Sequence, residues 1–158
     1  MKKILLFALI LAGLASCKQA TDVPQIDLTL SKALKKNAQL SEFVTQAIEN
    51  ANELARECVT MHEMAREYLE VDFDSLPPEQ QEKIVSLDYK YVETWYNFNV
   101  KYTSQTIQLM EILKDKSIPK EELIEMSKAI AQVGSFVQQL KDTYGQDLKL
   151  DPHAVPVQ

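Results

Sequence analysis

A chain of 158 residues with only three glycines has the length for one domain with a respectable core, and little of the punctuation that strands and tight turns need. Abundant Ala, Leu, Glu, Gln and Lys point to helix. A formal charge of −6 argues against nucleic acid as a partner, because phosphate backbones are held by clustered Lys and Arg.

Lys2 and Lys3 precede an apolar run at residues 4–14, broken only by Gly13. Ala15 and Ser16 then lead to Cys17. A positive start, a short apolar stretch and a small-residue cleavage site describe a secretory signal over residues 1–16. The run is too short to span a bilayer, which takes about 20 apolar residues. Leu14-Ala15-Ser16-Cys17 resembles the lipobox of bacterial lipoproteins. The resemblance covers residues 1–17 alone. It implies cleavage before Cys17, a diacylglyceryl group on its thiol and an acylated amine, palmitate being the typical chain. Several acyl chains give stable anchoring where one is marginal. The resemblance therefore implies a membrane partner through the lipid and a place in the bacterial cell envelope. Lys18 stands where aspartate marks inner-membrane retention in enteric lipoproteins, which leans the reading toward the outer membrane. Loss of residues 1–16 removes two basic and no acidic residues, so the mature charge is −8. With Cys17 lipidated, Cys58 has no intramolecular partner, and a disulfide framework is excluded.

Residues 17–26 are polar, contain Pro24 and lack periodicity, and read as a lipidated tether. The first predicted helix starts at Asp27 or Thr29, either of which can cap free amides. Its seam runs through Ile26, Leu30, Ala33, Leu40, Val44, Ala47, Ala51, Leu54, Cys58, Met61, Ala65 and Tyr68. Spacing near 3.5 residues is the mark of helices packed side by side. Asn37 is its one polar intrusion, and a kink or break near residues 36–41, with Ser41 as a cap, would give a fourth short helix. Asp72, Asp74, Ser75 and Pro77-Pro78 form a stop and a restart. The second predicted helix spans residues 78–115, with Ile84, Leu87, Tyr91, Trp95, Phe98, Tyr102, Thr106, Leu109 and Leu113 inward. Its aromatics are expected opposite the alanines of the first helix. The connection at 116–119 is short, so the second and third helices are expected to be antiparallel neighbours. The third helix, residues 119–144, carries Leu123, Met126, Ile130, Val133, Val137, Leu140 and Tyr144 and ends at Gly145. Gly134 in its middle suggests a close backbone approach. Residues 146–158, with Pro152 and Pro156, read as an irregular tail. The fold expected is an all-α, elongated antiparallel three-helix bundle over residues 27–145. Helices of roughly 55–65 Å, 55–65 Å and 40 Å would leave the hairpin tip at residues 61–87 uncovered by the third.

Chemistry is sparse. Cys58, Met61 and His62 share one helical face and form a candidate metal set for copper, zinc or haem iron. Cys58 and Met61 also fall on the core seam, where both act as apolar fillers. His62-Glu63-Met64-Ala65-Arg66 begins like a zinc-protease motif, but Arg66 occupies the place of the second histidine. No nucleophile elbow, phosphate loop or Cys-x-x-Cys-His occurs, so neither an enzyme nor a resident cofactor is expected. Glu49, Glu53 and Glu57 line one strip, with Lys90 and Lys101 available to offset them. Glu63, Asp72, Asp74, Tyr89 and Tyr96 are the candidate partner surface. The expected role is an envelope interaction module, such as an inhibitor, immunity protein or assembly accessory. Its partner is another envelope protein or itself, with a metal or haem carrier as the alternative.

Overall fold

The first two helix starts are set by side chains that satisfy free amides. Ser31 Oγ accepts the Leu34 N–H at 3.3 Å and opens α1 (Lys32–Lys36). Asn37 then ends α1 with extended backbone and opens α2 (Ala38–Ala65) by accepting the Leu40 N–H at 3.2 Å. Its amide also donates to Glu122 Oε2 at 3.0 Å on α4 (Lys120–Tyr144). Between them, α3 (Pro78–Lys114) starts with Pro78 in its first turn. These elements and one 3-10 turn at Phe73–Ser75 make an all-α bundle of three long helices and one short one. The computed structural model describes residues 22–68 and 71–145; residues 1–16, expected as a signal segment, Cys17 and the expected tail 146–158 lie outside the described residues.

The predicted start of the first helix is corrected. Residues 22–31 are an extended strap, and helix begins at Lys32 rather than near Asp27 or Thr29. Ile26, Leu28 and Leu30 turn inward while Asp27 and Thr29 stay exposed, the alternation of an extended chain. Asn52 on α2 holds the strap from both sides: Oδ1 accepts the Ile26 N–H at 2.8 Å, and Nδ2 donates to the Ile26 carbonyl at 3.1 Å. What was expected to be tether therefore packs from Val23 onward. A first helix expected to run on with at most a kink at residues 36–41 is instead broken there, and Asn37 makes the cap, not Ser41.

α2 is the axis. α3 and α4 both pack along it, and α1 sits against α2 and α4. Despite the short turn that joins them, α3 and α4 scarcely approach each other. The section is thus an open trough, with α2 as floor, and α3 and α4 are not the close neighbours that the short connection led the sequence reading to expect.

The core runs along α2 in four clusters. Leu34, Leu40, Phe43 and Val44 meet Ile112, Ile118 and Met126 at one end. Ala47 and Ala51 let Val133 and the strap residues Ile26 and Leu28 come close, in place of the expected α3 aromatics. Leu54, Ala55 and Cys58 pack with Leu140, Val23, Trp95 and Phe98. Met61, Ala65 and Tyr68 close on Ile84 and Leu87 at the hairpin tip. The tip is not left bare, because Phe73 and Leu76 of the connection pack into it. Gln81 Nε2 pins that connection by donating to the carbonyls of Phe73 and Leu76, each at 3.1 Å. On α3, full burial is confined to Ile84 and Leu87 near one end and Ile112 near the other.

Candidate functional site

The middle of α3 has core on one side only. Among the described residues, eight of the eleven large apolar side chains that stand exposed belong to α3: Tyr89, Val92, Tyr96, Val100, Tyr102, Ile107, Met110 and Leu113. Between this helix and α4 lies a groove of about 830 Å³. Phe43 and Ala47 form its floor; Trp95, Phe98 and Leu109 line one wall, and Ile130, Val133 and Val137 the other. Polar groups are few: Glu93 and Lys141, with Asn99, Gln105, Thr106 and Gln138. A concave, largely apolar site with a few placed polar groups has the character of a binding site. Trp95 Nε1 and Gln105 Nε2 are buried donors without a hydrogen-bond partner. Rings stagger along the wall, with Trp95, Phe98 and Tyr102 in successive contacts at 6.2 Å between centroids, and Tyr91 extends the row toward the tip, 6.2 Å from Trp95.

Of the predicted partner residues, Tyr89 (74% exposed) and Tyr96 (66%) both line the groove. Glu63, Asp72 and Asp74 are not part of its lining. Glu63 faces Arg66 at 3.8 Å, and Asp72 caps the 3-10 turn through the Asp74 N–H at 3.3 Å. Val92, Val100, Ile107 and Met110 escaped the sequence reading. For Val92 and Met110 the available signal was a second 3-4 repeat on α3, rotated off the core line. Glu53 of the acidic strip pairs with Lys101 at 2.6 Å, which ties α2 to α3 on an exposed side.

The structure takes Cys58 and Met61 into the core and leaves them there. Cys58 is fully enclosed, and burial, helped by the Glu57 carboxylate, pushes its thiol up to about 12. Met61 is equally enclosed in the tip cluster. His62 is half-buried with its ring edge-on to Tyr144, centroids 5.6 Å apart. Burial, then Cys58 and Glu63, raises the Tyr144 phenol. Among the described residues no group of three His, Cys, Asp or Glu side chains is placed to hold a metal ion. The Cys58 shift makes a prediction about pH. A thiol whose folded pKa is raised favours the fold below its unfolded value, near 9.0, and loses that contribution as pH climbs toward 12. Stability of wild type relative to Cys58→Ala should therefore fall across pH 9–12, as urea midpoints would show; an unchanged difference would refute it.

Gly134 is exposed on α4 and lines the groove. A Cβ there would meet nothing within 4 Å, so the close approach expected from sequence is absent. Gly134→Ala should stabilise the fold by about 1 kcal/mol through helix propensity, measured as a rise in urea midpoint. Gly145 ends α4 in right-handed backbone, and a side chain there would run into the Lys141 carbonyl.

Among the described residues, no helix is long and apolar enough to cross a membrane. Compared with protein-family models, curated proteins and solved structures, the chain matches none.

Proposed function

We propose that this chain is a lipid-anchored protein of the bacterial cell envelope whose bundle serves as an interaction module, receiving an amphipathic helix along the uncovered side of α3. The observation that carries the reading is the run of exposed apolar residues from Tyr89 to Leu113 beside the α3/α4 groove. A helical domain that leaves one face of its longest helix apolar resembles a bundle lacking a member. The lipobox resemblance at residues 14–17 supports the anchor, with Lys18 favouring the outer membrane.

Two measurements on the full chain in its membrane test this. Cys17→Ser should abolish palmitate labelling and move the protein out of the membrane fraction. A photoreactive side chain at Tyr96 should give adducts with a protein, whereas one at the exposed Lys128 should not. Equal adducts from both positions, or none from Tyr96, would overturn the module reading.

A further inference from the structure

The open face of α3 has a repeat of its own. Tyr89, Val92, Tyr96, Asn99, Thr103, Thr106, Met110 and Leu113 follow strict alternating steps of three and four residues. Seven of the eight are exposed and Thr106 is half-buried. This is a second coiled-coil seam, offset from the line that packs on α2, about 36 Å long at 1.5 Å per residue. It holds no charged residue.

We propose that this seam binds its own counterpart in a second copy of the chain, antiparallel, about a two-fold axis near Lys101. This deepens the reading above, in which α3 receives a helix, by naming that helix. A two-fold interface must be self-complementary. Reversed upon itself, the seam sets Tyr89 against Leu113, Val92 against Met110, Tyr96 against Thr106 and Asn99 against Thr103. Each aromatic meets a smaller partner, and the two central polar residues meet each other, the usual means of fixing register. Val100 and Ile107 share one flank, where the two copies bring them together. Tyr102 lies on the other flank near the axis and approaches its own counterpart. All eight exposed apolar residues of α3 are then covered. Glu93 and Lys114 sit at opposite ends of one flank, so reversal brings each toward the other. Both copies also enter their bundles at Val23, level with Trp95 and Phe98, close to the proposed axis.

The test is sedimentation equilibrium on the full chain in detergent micelles, with circular dichroism to check that each variant folds. Wild type should be a dimer. Val92→Glu and Met110→Lys should each weaken self-association by at least ~10-fold, since each buries an unpaired charge, with helix content unchanged. Mixing the two variants should restore a dimer, because position 92 of one copy faces position 110 of the other. A monomeric wild type would overturn the proposal, as would dimers that survive both substitutions. Loss without rescue on mixing would overturn the antiparallel register. Adducts at Tyr96 containing only a foreign protein would remove self-pairing and leave the module reading standing.

Discussion

Ile112→Ala is expected to destabilise the protein by about 3–4 kcal/mol, the range for truncating a fully buried aliphatic side chain where the surroundings relax only partly. The site is chosen by how α3 is held. Thirty-seven residues of helix are fully buried at just Ile84, Leu87 and Ile112. The first two sit at the tip, so Ile112 is the one fully buried α3 residue at the other end, among Leu34, Leu40, Val44, Ile118 and Met126, with Leu109 half-buried against the same cluster. Removing its side chain opens a cavity where α1, α2 and α4 also meet. A substitution of similar size on the open face, such as Ile107→Ala, should change stability by less than about 0.5 kcal/mol in a monomer. Urea denaturation gives both values. A cost below about 1 kcal/mol at Ile112 would show that α3 is held by its half-buried middle instead.

Asn52→Ala is the second large effect expected, about 2 kcal/mol. One amide satisfies both backbone groups of Ile26, and alanine leaves that N–H and C=O without those partners in a half-buried setting. The loss should be local. Residues 22–31 should become sensitive to protease while the helical signal barely falls. Asn52→Asp discriminates the cause, since a carboxylate still accepts from the Ile26 N–H but repels its carbonyl. It should be no more stable than the alanine variant. Protection of the strap in both variants would mean that Ile26, Leu28 and Leu30 hold it by apolar contact alone.

Legibility followed the type of signal. α3 and α4 were readable within one residue at each end because Pro78 and Pro119 mark their starts and the polar run from Asp115 to Ser117 separates them. The strap was not, because Ile26, Leu30 and Ala33 fit a helical step, and Leu28, the residue that reveals period two, falls off that line. Asn37 was visible as an anomaly on the seam, yet whether an asparagine kinks a helix or caps the next depends on backbone angles that spacing does not contain. The groove follows from a contact that fails to form. Turn length dictates that α3 and α4 run in opposite directions, but not that their flanks touch. Tyr89 and Tyr96 stood out as aromatics off the core line, whereas Val92, Ile107 and Met110 look like ordinary helix residues until α2 is seen to cover one side only. Cys58 and Met61 had both readings available from sequence, and the structure encloses each within an apolar cluster.

The point where the chain joins its bundle has a mechanical consequence. Val23 docks beside Leu54, Cys58 and Phe98, near the waist of a rod whose longest member, α3, is about 55 Å from end to end. With the proposed lipid on Cys17, five residues separate anchor from rod, a cord of roughly 17 Å at full stretch. A rod hung by a short cord from its waist is a balanced beam and not a mast. With the lipid on Cys17 as proposed, the pull of the anchor would act on the flank of the rod, with two arms of similar length on either side of it, and not on its tip.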